Sequence, residues 1–261
     1  MRAEEYLQDL QSRGRYTFTS AEAFATVGGS DLAVRRALLR LKKKGMLVTP
    51  FRGFHVVVPP EYRSLGCLPP DQWVPDLMGS LGEPYYAGLL TAAEYHGAAH
   101  QRPQAFQVVT TRPRSSIRCG RARVQFIMRT NTPGVPTVEV NSVRGLLRVS
   151  TPEATALDLV AYPHHAGGID NVATVIAELA EQLDPQRLLE TATLVAELPA
   201  VQRLGYILDY VDAHRVANPM RNYVARIART PVPLASSEPV SGHQVDHRWK
   251  VVVNTHLDPD L

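Results

Sequence analysis

Between Ser30 and Gly45 apolar residues recur at helical spacing. Val34, Ala37, Leu38 and Leu41 fall on one side of a 3.6-residue wheel, Arg36, Arg40 and Lys43 fall opposite, and Arg35 and Lys42 lie on a flank. Leu32 and Leu39 interrupt the polar side, so one of them is expected to pack against the following hairpin or a partner. Ser30 suits the N-cap, Asp31 the positive helix end, and Gly45 a left-handed stop. Upstream, Thr19-Ser20-Ala21-Glu22 has the spacing of a capping box. It predicts a helix carrying Ala23, Phe24 and Val27 that stops at Gly28-Gly29. Tyr6, Leu7 and Leu10 give a first helix ending near Gly14, and Tyr16-Thr17-Phe18 reads as short and extended. After Gly45, Val48, Phe54, Val56 and Val58 are the strand residues of a hairpin, with a break at Pro50 and a turn at Arg52-Gly53. This order of elements within residues 1–58 predicts a winged helix-turn-helix, in which a cationic helix enters the major groove and the hairpin reaches the flanking phosphates.

Residues 59–70 hold four prolines and read as a semi-rigid linker. The remainder, 71–261, alternates less regularly. Helices are expected near Asp71 to Leu81 and Tyr85 to His96, and strands at Ala105 to Thr111, Val124 to Met128, Thr137 to Val140 and Leu146 to Val149. Helices then dominate: Pro152 to Ala161, Asp170 to Gln182, Pro185 to Leu198 capped by Asp184, Ala200 to His214, and Pro219 to Ala228. A closing strand is expected at Trp249 to Asn254. The fold class is therefore α+β: an N-terminal winged helix-turn-helix, then a larger mixed domain with a small sheet and a helical C-terminal portion.

Charge sharpens this picture. Residues 1–58 contain ten Lys or Arg against five Asp or Glu, a local balance of +5, whereas the whole chain is only +3. Such a local excess suits a polyanion, because a duplex rewards it by releasing condensed counterions. Arg36 and Arg40 are best placed for base edges; Ser30, Arg35, Lys42, Lys43 and Arg52 complete the candidate DNA-binding set. A second cationic stretch, Thr111 to Arg129, carries Arg112, Arg114, Arg118, Arg121, Arg123 and Arg129 and no acid. It reads equally as a second nucleic-acid or partner surface and as a sheet edge kept soluble by charge. Ser150 to Arg215 is the reverse, with ten Asp or Glu against three Arg. At 261 residues and 44% hydrophobic content the chain suits a soluble globular protein with room for two domains. No apolar run approaches a membrane span and Met1-Arg2-Ala3-Glu4-Glu5 opens no signal peptide, so a cytoplasmic location and no membrane partner are expected. Cys67 and Cys119 have no framework or metal-ligand spacing and read as unpaired thiols.

The chemistry-bearing residues point away from catalysis. A nucleotidyltransferase needs paired carboxylates soon after a Gly-Ser turn, yet after Gly79-Ser80 the next aspartate is Asp158. A nuclease of the Asp…Glu-x-Lys type needs a lysine after strand carboxylates, and the lysines are Lys42, Lys43, Lys44 and Lys250. His96 and His100 lie four apart, but Gly97 marks the end of their helix, and helix-end hydrogen bonding is the expected role. His164-His165 before Gly167-Gly168 reads as a loop, and Thr151, Glu153 and Asp158 as an N-cap, a first-turn carboxylate and a polar position of an amphipathic helix. No catalytic residue, metal or cofactor is expected.

Three stretches carry a family likeness: Pro84 to Gly97 (PYYAGLLTAAEYHG), Gln104 to Thr110 with its Val108-Val109-Thr110 strand, and Val149 to Leu159 (VSTPEATALDL). Together with the leading winged helix they resemble the AbiEi family of antitoxins, from about Thr19 to Asn254. That resemblance implies the antitoxin of a type IV toxin-antitoxin or abortive-infection pair, serving phage defence. It also implies repression of the protein's own operon through operator DNA, and a second domain that counters a nucleotidyltransferase-like toxin without requiring direct contact. Dimeric occupancy of inverted-repeat half-sites is the matching expectation. The other reading is a winged-helix regulator, or an RNA- or partner-binding protein, whose second domain senses another molecule.

Overall fold

The computed structural model describes residues 1–98 and 103–259. Two compact units divide the chain: Met1–Tyr85, Gln104–Thr130 and Glu139–Arg148 form the first, and Tyr86–Pro103, Asn131–Val138 and Val149–Leu261 the second.

The first unit begins with α1 (Ala3–Ser12), β1 (Thr17–Thr19), α2 (Ser20–Val27), α3 (Asp31–Lys43), β2 (Leu47–Phe51) and β3 (Phe54–Val57). Local signals set these bounds. The Thr19 hydroxyl accepts from the Glu22 amide at 3.2 Å and the Glu22 carboxylate accepts from the Thr19 amide at 2.7 Å, closing the capping box that starts α2. The Ser30 hydroxyl accepts from the Ala33 amide at 3.3 Å, and α3 ends where Gly45 takes φ +68°. The strands form an antiparallel sheet in the order β1-β3-β2, with Thr17 opposite Val56 and a register shift in β2 around Thr49-Pro50.

β3 is buried on both faces, and this decides how residues 1–58 are held. Val57 joins Tyr6, Leu7, Leu10, Phe18, Val27, Val34, Leu38 and Leu41 in one core. Phe54 and Val56 point the other way, into a core with Cys67, Leu68, Trp73, Val74, Leu77, Met78, Ile117 and Cys119. Residues 59–70 are accordingly not a free linker. They form short 3-10 turns at Pro60–Tyr62 and Pro70–Gln72, and Cys67 and Leu68 are buried. Composition alone misleads here because the prolines start tight turns rather than extend a tether. The Thr17 hydroxyl donates to Asp76 at 2.5 Å, and the Arg144 guanidinium lies 3.3 Å over the Tyr16 ring.

The rest of this unit comprises α4 (Val74–Leu81), which follows a 3-10 turn rather than beginning at Asp71, then strands. β4 (Tyr85–Ala87) takes the start of what periodicity reads as a helix, and α5 (Leu89–Tyr95), which with Tyr86 and Ala87 belongs to the second unit, is the remainder. Pro84 and Gly88 bracket Tyr85-Tyr86-Ala87, whose aromatic side chains suit a strand. β5 (Phe106–Thr110) runs parallel to β7 (Ala122–Met128), and β6 (Ile117–Cys119), a strand too short for periodicity to mark, pairs antiparallel with β7. Gly120 at their turn abuts the Leu65 carbonyl, and the Arg121 amide donates to that carbonyl at 2.8 Å. The two cysteines, far apart in sequence, meet here as free buried thiols. The contact with Cys119 and then burial push the Cys67 thiol up.

β8 (Thr137–Ser142) and β9 (Gly145–Ser150) precede the helices of the second unit: α6 (Pro152–Ala161), α7 (Ile169–Leu179), α8 (Pro185–Val195), α9 (Leu198–Tyr210) and α10 (His214–Ile227). β4 and β9 pair in parallel at Ala87 and Val149. Glu153 to Val160 are all buried, so α6 is the central helix of this unit and not an amphipathic surface helix. Asp158 is therefore enclosed, accepting from the Tyr86 hydroxyl at 2.8 Å, and Glu153 accepts from the Asp184 amide at 3.2 Å. Asp184 itself caps α8 through the Gln186 and Arg187 amides. α10 starts at His214, so Pro219 sits inside the helix instead of opening it; Val216, Ala217 and Met220 are buried around it. Three short strands close the chain in the order β10-β12-β11: β10 (Val232–Pro233), β11 (Val245–Asp246) and β12 (Val251–Val252). No helix among the described residues is long and apolar enough to cross a membrane.

Candidate nucleic-acid interface

α3 turns Val34, Leu38 and Leu41 into the core and leaves the opposite side bare. Arg36, Arg40, Lys42 and Lys43 are exposed, as is Arg52 at the tip between β2 and β3, and none of the five has an acidic partner among the described residues. Other charges nearby are committed. Lys44 pairs with Glu4 at 2.6 Å, Arg15 with Glu22, and Arg35 lies 5.4 Å over the Phe24 ring of α2. The Ser30 hydroxyl is occupied as the cap. Leu32 and Leu39 pack against neither the hairpin nor the core: they are 57% and 53% exposed on the same side as the arginines. An uncompensated cationic surface on a short, well-capped helix favours a polyanionic ligand.

Behind it, His55 on β3 is 8% exposed, stacked on Phe18 at 5.0 Å, and hydrogen-bonded to Ser20 at 2.9 Å and Thr49 at 3.1 Å. Burial first, and then the Lys42 charge, push its imidazole down from 6.5 to about 4. The folded protein thus keeps His55 neutral where the unfolded chain would take up a proton. Stability is fully present above about pH 6.5 and falls as pH drops from 6.5 towards 4, by about 3 kcal/mol in all. Urea titrations at pH 7 and pH 5 should show this fall, and His55→Gln should remove most of it. A profile identical in wild type and variant would mean that His55 is solvated.

The second arginine set divides. Arg114 is tied down: its Nε donates to Glu83 at 2.8 Å, its Nη2 contacts the same carboxylate, and it lies 5.8 Å over Phe51. Burial alone would raise the Glu83 carboxyl, but the Arg114 side chain and the Arg112 amide outweigh it and hold the group below the ordinary carboxylate value. Arg114 is therefore a structural residue. The side chains of Arg112, Arg118, Arg121 and Arg123 are exposed, and Arg118 stands directly opposite Arg123 across β6 and β7. Like charges at facing positions are unfavourable without an anion nearby. His96 Nε2 donates to the Ser150 carbonyl at 2.7 Å, the helix-end role expected of it; His100 lies outside the described residues. Among the described residues no group of three or more His, Cys, Asp or Glu could hold a metal ion. Sequence reasoning missed Arg144, which stacks on Tyr16 and donates to Gln72 at 2.7 Å; nothing in its local sequence signals that long-range role.

Fold and surface define the class: a mixed α+β protein whose first unit offers an unpaired cationic helix face and whose second is a helical body built on a buried helix. Residues 86–210 match the family model of the AbiEi antitoxin C-terminal domain, so this part of the chain is similar to the C-terminal domain of AbiEi antitoxins. The family is one of antitoxins of toxin-antitoxin, abortive-infection systems and not of enzymes, and it implies a cognate toxin. Among solved structures, the RV2827C protein from Mycobacterium tuberculosis is similar in fold, with a TM-score of 0.67 at 16% sequence identity, covering 96% of this chain and 90% of that one. No curated protein matches the chain by sequence.

Proposed function

We propose that this antitoxin also binds operator DNA through a winged helix-turn-helix in residues 1–58, represses its own operon, and counteracts a nucleotidyltransferase-like toxin of a type IV system. The observation that carries the DNA-binding half is the bare side of α3, where Arg36, Arg40 and Lys43 project with no acid to satisfy them among the described residues. In this reading α3 lies in the major groove, with Arg36 and Arg40 at base edges. Lys42 and Lys43 meet phosphates at the far end, and Arg52 reaches the backbone from the hairpin. Arg112, Arg118, Arg121 and Arg123, on the same compact unit, form a second anionic-ligand surface. Two copies on paired half-sites follow from the two-fold symmetry usual for such modules.

Each half has its own test. The protein should shift the DNA upstream of its own gene and not unrelated DNA at physiological salt; equal affinity for both would exclude a specific repressor. Co-expression should rescue cells from the product of the neighbouring gene. Failure to rescue from a neighbouring nucleotidyltransferase would remove the proposed toxin.

A further inference from the structure

We infer that Leu32 and Leu39 read thymine methyl groups in the operator, so that α3 selects T·A pairs at two positions by apolar contact. The inference rests on the DNA-binding reading above and adds the base chemistry to it. On the wheel of α3 the core residues Val34, Leu38 and Leu41 point inward, and Leu32 and Leu39 fall on the far side, about 30° and 50° from directly outward. They therefore lie within the outward stripe, beside Arg36 and Lys43 at its middle and between the flanks marked by Arg35 and Arg40. Solvent is a poor place for two leucines, yet they remain 57% and 53% exposed.

The occupant that fits is the floor of a major groove. A protein partner offering only an apolar knob to these leucines would draw Arg36, Arg40 and Lys43 out of water with no acid from the described residues of this chain to pair them, a costly burial. DNA supplies both chemistries at once: phosphates at the rims for the cations, and the thymine C5-methyl on the floor, which neither cytosine nor the purines present. The spacing also agrees. Leu32 and Leu39 are seven residues apart, about 10.5 Å along a helix, close to three base-pair steps of about 3.4 Å.

The test removes the methyl and nothing else. The DNA upstream of the gene is amplified once with dTTP and once with dUTP, and both products are titrated in gel shifts with wild type and with Leu32→Ala/Leu39→Ala. Wild type should bind the uracil DNA about tenfold more weakly, as expected for two buried methyl contacts. The double variant, altered only at exposed positions and so still folded, should bind thymine DNA about tenfold more weakly than wild type and be indifferent to the methyls. Wild type that binds both DNAs equally well overturns the inference while leaving DNA binding intact. Wild type that binds neither DNA removes the underlying reading as well. A double variant that loses self-association in sedimentation but keeps its methyl sensitivity places the leucines between protein copies and also overturns it.

Discussion

Replacing Arg36 and Arg40 together by alanine should abolish the shift of the protein's own upstream DNA at physiological salt. Both side chains are exposed and neither is paired among the described residues, so their loss removes no intramolecular ion pair. Alanine is also the best helix former, so α3 should persist. An arginine that contacts a base edge contributes about 1–3 kcal/mol of discrimination, so the pair together should weaken binding on the order of 100-fold or more. The salt dependence should change with it. If Arg35, Arg36, Arg40, Lys42, Lys43 and Arg52 each meet a phosphate or a base and displace about one counterion, the wild-type log-log slope is roughly −5 per protomer, and losing two of these cations should reduce it by about two. Circular dichroism and thermal melting of the double variant should match wild type. Retained affinity with a retained slope would show that this side of α3 does not face DNA.

Gly205→Ala should be the most damaging small change in the second unit. A Cβ at this position would lie 2.1 Å and 2.2 Å from Cε3 and Cζ3 of Trp249, well inside contact distance. The ring cannot retreat. Its Nε1 donates to Asp209 at 2.6 Å, its backbone amide donates to Asp246 at 2.7 Å, and the Gln202 side chain holds its carbonyl at 3.2 Å and the Lys250 carbonyl at 2.9 Å. Trp249 is wholly buried beneath α9, so the clash must be relieved by moving the helix or breaking these bonds. Overpacking of this kind costs about 3 kcal/mol or more, a fall in Tm of roughly 10 °C for a unit of this size. Trp249→Phe in the same chain removes the outer part of the ring system and should recover part of that loss. An unchanged Tm for Gly205→Ala would show that the helix has slack against the ring.

The elements legible in the sequence are those fixed by their neighbours along the chain. α2 and α3 could be placed because Thr19, Glu22, Ser30 and Gly45 act within one turn of their own position. The starts of α6 and α8 could be placed because Pro152 and Asp184 do likewise, whereas α8 ends at Val195 and Leu198, expected as its last residue, opens α9. What escaped is what distant residues decide. β4 is three residues long and is a strand through its pairing with β9, a partner far along the chain. Asp158 has the spacing of a surface residue on α6, and only the cover over every side of that helix encloses it. Arg114 looked like one more solvated arginine until Glu83 was beside it. The exposure of Leu32 and Leu39 shows the converse. The wheel placed them on the outer side correctly, and apolar chemistry alone argued for a cover that the fold does not provide.

The double-sided burial of β3 governs how the two proposed activities can be tested apart. Starting the chain at Pro59 would strip Phe54 and Val56 from Trp73, Leu77 and Ile117, leaving an apolar wound where a clean severance was wanted. Such a fragment should aggregate for reasons unrelated to the toxin, and its failure to protect cells would be uninformative. Whether protection needs the operator is a question for side-chain changes on the outer stripe of α3, which leave every buried contact in place.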